Sequence, residues 1–269
     1  MKSLQMFAMT DVGKKRQHNE DYVDISPSHG IAVLADGMGG YNAGEVASSM
    51  AVEIILSALK KNILEIPTAQ INEKTGFAEE SVLLRDAILL ANNSIFQTAS
   101  TKTECAGMGT TVLAAVFYGN RITAAHVGDS RMYRLRDGAL SHVTEDHSLI
   151  HEQVRRGLVT AADARNSRIK NLVTRALGVD AGVEADIVED IVFDGDFYLM
   201  CSDGLTDVVS DEVIQHTLSQ LHNNLSAAAR KLIDLANDAG GPDNISVILI
   251  KAPDAKAKAG FFSRLLGKH

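Results

Sequence analysis

Four carboxylates far apart in the chain, Glu20, Asp36, Asp203 and Asp243, each stand in a segment that suits a metal-binding turn. The segments read RQHNED (16–21), ADGMGG (35–40), CSDGL (201–205) and GPDNIS (241–246). Acidic side chains beside glycines at strand ends suit hard divalent cations, which take oxygen ligands and accept backbone carbonyls and water. Arg16, four residues before Glu20, adds a fixed cation whose fork can grip two phosphate oxygens. Together these residues point to metal-assisted hydrolysis of a phosphate ester.

Each of them also has a plainer use. Asp36 closes the buried run IAVLAD, where Gly37 would let the backbone carbonyl approach a cation; alone, it reads first as a turn aspartate bonding local amides. Asp203 repeats that context after FYLMCS, and Asp243 repeats it at the start of the last strand. Several uncompensated carboxylates in one pocket repel one another, so their convergence would call for a cation. Arg16 lies in the run Lys14-Lys15-Arg16 and is otherwise a surface arginine. Asp129, in HVGDSR, is either a further ligand or a hairpin-turn residue paired with Arg131. The nine histidines offer no metal-ligand spacing, and His18 and His147 are expected to be solvated loop residues. Ser130 and Ser202 lack the elbow motif of a serine nucleophile, which argues against covalent catalysis.

These residues must be placed by rigid elements, and the hydrophobic pattern supplies them. It predicts strands at Gln5–Thr10, Asp21–Ser26 and Gly30–Ala35, then helices from Ala43 to about Lys61 and from Glu79 to Thr98. Strands follow at Thr110–Tyr118, Arg121–Val127 and Arg131–Arg136, with Gly119-Asn120 and Asp137-Gly138 as hairpin turns and Ser141–Val143 returning antiparallel. Residues 145–182 turn polar, with helical pieces at Ser148–Arg156 and Ala161–Asn166 and many basic residues, as in a surface insertion. Strands resume at Glu184–Phe193 and Asp196–Cys201. Two helices come next, Asp211–Gln220 and Ser226–Ala239, with caps at Ser210 and Leu225-Ser226, and Ser246–Lys251 is a last strand. Antiparallel hairpins with helices grouped rather than alternating give an α+β fold, a sandwich of sheets with helices outside.

Composition narrows the function. A net charge of −8, from 34 acids against 26 bases, disfavours nucleic acid as partner, and with it a two-metal nuclease. Cys105 and Cys201 cannot build a disulfide framework, and Cys201, closing an apolar run, is expected in the core. The start has no signal-peptide pattern and no segment suits a membrane span, so a reducing cytoplasm is the expected compartment.

Six motifs occur in order: G-x-x-R-x-x-N-E-D (13–21), D-G-M-G-G (36–40), G-M-G-T-T (107–111), H-V-G-D-S-R (126–131), S-D-G-L (202–205) and G-P-D-N-I-S (241–246). They resemble the metal-dependent serine/threonine protein phosphatases of the PPM family, type 2C, in the compact bacterial form. The resemblance covers about residues 5–251 and implies an α-β-β-α sandwich of two antiparallel sheets flanked by helix pairs. It sets a phosphatase domain at 1–251, with a flap insertion at about 145–182, apart from a tail at 252–269.

The same resemblance implies two Mn²⁺ or Mg²⁺ ions at one end of the sheets. Asp36 would bridge them and the Gly37 carbonyl would bind one. Asp203 and Asp243 would hold the first ion and Glu20 the second, while Asp21 orients bound water. Asp129 matches a ligand of a third, weaker ion. Arg16 would bind the substrate phosphate, and water between the ions would be the nucleophile. Met38 stands where some members carry a histidine general acid, which leaves the proton donor open. The expected substrates are phosphorylated proteins, the expected antagonist is a Ser/Thr protein kinase, and the expected state is a monomer; the rival is an inactive, phosphatase-like binding module. In the tail, Phe261, Phe262, Leu265 and Leu266 share one face on helical spacing, among Lys256, Lys258, Arg264 and Lys268.

Overall fold

Alternation along the strands decides the layers. In the computed structural model, which describes residues 4–40, 43–160, 163, 167 and 172–253, two antiparallel sheets lie face to face. One contains β1 (Gln5–Asp11), β7 (Arg131–Arg136), β8 (Ala139–His142), β10 (Phe197–Cys201) and β11 (Ile245–Lys251), in the spatial order β1-β11-β10-β7-β8. The other contains β2 (Asp21–Ser26), β3 (Ile31–Met38), β5 (Val112–Tyr118), β6 (Arg121–Val127) and β9 (Asp186–Ile191), ordered β2-β3-β5-β6-β9, with β4 (Gly109–Thr110) pairing the end of β3. The two-residue hairpins fall where the turn dipeptides predict, joining Tyr118 to Arg121 and Arg136 to Ala139.

Three apolar layers hold the sandwich together. Ala32 and Leu34 of β3, Leu113 and Ala115 of β5, Met200 of β10 and Ile248 and Ile250 of β11 fill the space between the sheets. Their strand neighbours face outward: Ile31, Val33 and Ala35 meet α1 (Ala43–Asn62) and α2 (Glu79–Thr101). On the other side Leu199, Cys201, Val247 and Leu249 meet α5 (Asp211–Leu221) and α6 (Leu225–Asp238), so Cys201 is a core residue. This is the α-β-β-α arrangement, and both sheets are buried on both faces. The last two helices are amphipathic at period 3.6; α6 buries Ala228, Ala229, Leu232, Ile233 and Ala236.

The expected segments return with small corrections. Thr111 interrupts the predicted strand 110–118, whose first part becomes β4, because Thr111 turns to bond Asp36. The returning strand β8 spans Ala139–His142 rather than 141–143. The cap of α6 is Asn224, whose side chain accepts from Ala227 N–H at 3.1 Å, in place of Ser226, and Ser210 makes no side-chain cap to α5. Within 145–182 the first helical piece is α3 (Leu149–Arg155), whereas Ala161–Asn166 lies outside the described residues except Asp163, as do Arg165, Arg168, Lys170 and the tail from 254. That segment is not all surface, for Leu177 is buried in the core under α1 and α2. No helix among the described residues is long and apolar enough to cross a membrane.

Candidate metal centre

The alternation that buries Ala32 and Leu34 between the sheets carries Asp36 to the same side at the end of β3. The same holds for Asp21 at the start of β2, which is the register partner of Asp36. On the opposite sheet Ser246 precedes Ile248 on that face and Ser202 follows Met200. The inter-sheet layer is thus apolar along its length and polar at one rim. Asp203 opens α4 (Asp203–Thr206) directly after Ser202, and Asp243 immediately precedes Asn244 and β11, so both reach the same rim.

The main chain there is tightly held. Thr111 Oγ1 accepts from Asp36 N–H at 3.1 Å, while the Asp36 carbonyl accepts from Thr110 Oγ1 and Thr111 N–H, each at 2.8 Å. Gly37 N–H donates to the Glu20 carbonyl at 3.0 Å. A Cβ on Gly37 would overlap the carbonyls of Gly44 and Glu20, and one on Gly44 would overlap the Glu20 carboxylate. Both glycines are therefore required by close approach. Asn244 joins the remaining pieces: its amide donates to the carbonyls of Val12 at 2.9 Å and His18 at 3.0 Å, and its Oδ1 accepts from Glu20 N–H at 2.8 Å. The loop carrying Arg16 and Glu20 is strapped in this way to the turn carrying Asp243.

The acids repel across this rim. Burial, then Asp21, Asp203, Asp129 and Asp243, raise the Asp36 pKa well above the usual carboxylate range. Burial, then Asp129, Asp207 and Asp243, do the same to Asp203. Asp21 is pushed up to about 6 by burial and by Asp243, against the bonds it receives from serines. Ser202 Oγ donates to Asp21 Oδ2 at 2.8 Å, but Asp21 Oδ1 is buried with no hydrogen-bond partner. Asp129, only 7% exposed, reaches about 6 through burial and then Asp146. Glu20 is also raised, by burial first. Asp36, Asp203, Asp243 and Glu20 keep partial contact with solvent, so the rim is open.

An unpartnered buried carboxylate oxygen, crowded acids and a purely oxygen donor set fit hard divalent cations such as Mn²⁺ or Mg²⁺. The acids line a shared mouth without closing on one point: no three of them bring ligand oxygens within 4.8 Å of one another among the described residues.

A family model described as protein phosphatase 2C matches residues 12–236. The chain belongs to the protein phosphatase 2C family. This phosphatase is 38% identical over 245 residues to the serine/threonine phosphatase stp of Listeria monocytogenes, covering 90% of this chain and 93% of that one. The crystal structure of the Mycobacterium tuberculosis serine/threonine phosphatase PstP/Ppp matches with a TM-score of 0.81 and 36% identity, over 93% of this chain and 99% of that one. The PstP catalytic domain in complex with 2 manganese ions matches with a TM-score of 0.80 and 36% identity, over 94% and 99%.

Three of the plainer readings do not hold in this phosphatase. Arg16 Nη2 bonds Asp243 Oδ2 at 2.7 Å, which raises the guanidinium pKa further, so the arginine is part of the rim and not a free surface cation. Arg131 does not pair with Asp129; its fork holds Asp146 through three hydrogen bonds of 2.7–3.0 Å. His147 is no solvated loop residue, being 6% exposed and stacked on His126. Asn244, Thr111 and Ser202 were missed as supports of the site. They lie inside the quoted motifs, but a short polar side chain in a turn segment gives no sign of the distant group it will bond.

Proposed function

We propose that this phosphatase hydrolyses phosphoserine and phosphothreonine in proteins, with Asp36, the Gly37 carbonyl, Asp203, Asp243 and Glu20 holding two Mn²⁺ or Mg²⁺ ions and Asp129 a third. The observation that carries the assignment is the rim itself: separate chain segments deliver Asp21, Asp36, Asp129, Asp203 and Asp243 to one mouth, where they repel one another and, among the described residues, no basic side chain but Arg16 is paired with them. When bound, the ions supply positive charge at the phosphoryl group and an acidified water as nucleophile.

The chain's own residues do the rest. Arg16, anchored through Asp243 and with its side chain 49% exposed, has donors left for two phosphate oxygens. Asp21 sits behind Asp36 with one oxygen fixed by Ser202 and the other free to accept from bound water. Met38, at the end of β3 beside Gly109, has no proton to give, so the leaving alcohol takes its proton from water. Residues 1–251 form the catalytic domain, with 145–182 as the flap beside the active site. A Ser/Thr kinase is the opposing enzyme, and the phosphatase works as a cytoplasmic monomer.

The test is release of phosphate from a phosphothreonine peptide, with Mn²⁺ binding followed by calorimetry. Turnover should need the ion, stop on chelation, and be lost with Mn²⁺ binding in Asp243→Asn. Undiminished hydrolysis by protein stripped of divalent ions would overturn the assignment.

A further inference from the structure

A second polar cluster lies behind Asp129. The rings of His126 and His147 stack with centroids 4.5 Å apart, and both residues are buried. With Asp186 they bring three ligand-type atoms within 4.8 Å of one another, a spacing open to a metal ion. The hydrogen bonds decide against that use. Gly128 N–H donates to His147 Nδ1 at 3.2 Å, and a neutral imidazole has one lone pair and one N–H. The lone pair is therefore on Nδ1 and the proton on Nε2. Burial, then the neighbouring His126, lower the His147 pKa and keep the ring neutral. Nε2 lies 3.2 Å from Asp186 Oδ2 and 3.3 Å from Arg175 Nη1; with its proton on Nε2 the ring donates to the carboxylate, and the guanidinium beside the same nitrogen disfavours a metal ion there. Arg175 Nη1 donates to Asp186 Oδ1 at 2.7 Å, so the carboxylate already has a cation.

What the cluster joins is more informative than what it could bind. His147 N–H donates to the Gly128 carbonyl at 2.9 Å, and its own carbonyl accepts from Thr174 N–H at 2.8 Å. Next to it Leu149 N–H bonds the Leu172 carbonyl at 2.9 Å, and Ser148 forms a bridge with Val173. Thus the two ends of segment 145–182 meet at His147, and its ring and amide both grip Gly128. Gly128 has φ +114°, and a Cβ there would collide with Thr111, so the turn presenting Asp129 keeps its shape through its backbone bonds. On its other side, Arg131 is pinned by Asp146, the residue before His147.

We propose that His147 is a positioning residue that ties residues 172–174 to the Gly128-Asp129 turn and thereby sets the Asp129 carboxylate. The functional part rests on Asp129 serving as ligand of the third ion, as proposed above.

The two ends of the imidazole can be tested separately. His147→Asn places an amide oxygen near the position of Nδ1, which keeps the Gly128 bond and drops the link to Asp186; His147→Ala drops both. With full-length manganese-loaded protein, hydrogen exchange by mass spectrometry and Mn²⁺ calorimetry are measured together. His147→Ala should exchange faster in peptides covering 126–131 and 172–178 and bind the weakest Mn²⁺ roughly tenfold less tightly, with the tight ions unaffected. His147→Asn should change only 172–178. Faster exchange confined to 145–149, or an unchanged weak Mn²⁺ in His147→Ala when Asp129→Ala abolishes it, overturns the coupling. If Asp129→Ala leaves all Mn²⁺ binding intact, the ligand role of Asp129 fails, while exchange at 126–131 still judges the lock. Should His147→Ala not fold, unchanged exchange at 172–178 in His147→Asn is the overturning result.

Discussion

The two ends of β10 treat a desolvated aspartate in opposite ways. Asp196, just before the strand, is 1% exposed and held by the Arg136 fork at 2.7 and 2.6 Å, with Phe193 N–H donating at 2.8 Å. Asp203, just after it, shares its rim with Asp21, Asp36 and Asp129, and no ion pair joins any of these four to a basic side chain among the described residues. A buried charge is costly unless it is paired. At the far end the protein supplies the cation itself; at the rim it surrounds Asp203 with more acids, and the Arg16 guanidinium goes to Asp243. Burial of an aspartate is thus no sign of function. Burial without an internal counter-charge is.

The contrast is easiest to break at Asp36. Asp36→Asn should lower kcat by on the order of a thousandfold through loss of electrostatic stabilisation. It should also raise the melting temperature of the metal-free protein, because one repelling charge is gone. A metal-free variant less stable than its parent would mean that the rim acids are not under strain. At the other end, Asp196→Asn should destabilise by about 3 kcal/mol by leaving Arg136 unpaired, with kcat within about twofold of the parent in denaturation and rate assays.

Arg16→Ala should sharpen the comparison further. Removing the guanidinium paired with Asp243 should raise KM for a phosphopeptide roughly tenfold, the worth of a charge-assisted bond, with a smaller change in kcat. An unaltered KM would leave Arg16 as a structural partner of Asp243 alone.

The smallest effect concerns pH. Asp21 and Asp129 each titrate near 6 in the fold, above the ordinary carboxylate value of 3.8. A raised pKa means the protonated folded form is favoured, so this stability is present below about 4 and lost as pH rises through about 6. The lowered His126 and His147 act with the opposite sign, losing stability as pH falls through their range. The difference between metal-free and Mn²⁺-loaded melting temperatures isolates the acids, and should widen by several degrees from pH 5 to pH 8. A constant difference would show that the ions do not relieve them.

Most of the scaffold could be read from the chain because its signals are local. Arg121–Val127 and Arg131–Arg136 appear as β6 and β7 with the expected bounds, since alternation and turn dipeptides act over a few residues. The cap at Asn224 and the break at Thr111 were not legible, because several small polar residues compete at each place and only the three-dimensional partner selects one. His147 shows the limit most sharply. Its partners Gly128, Thr174 and Asp186 are brought to it by separate strands and by both ends of one insertion.

By itself the sequence determined which residue types recur beside glycine at strand ends, and hence that a divalent ion and a phosphate were the chemistry to expect. Tertiary structure alone decided that Asp196 would be neutralised by Arg136 while Asp36 and Asp203 would face other acids, and that Arg131 would serve Asp146 instead of Asp129. The physical reason is range. Hydrophobic alternation is written in neighbours along the chain, whereas Coulomb energy and hydrogen bonds depend on distances in space that only the closed sandwich sets.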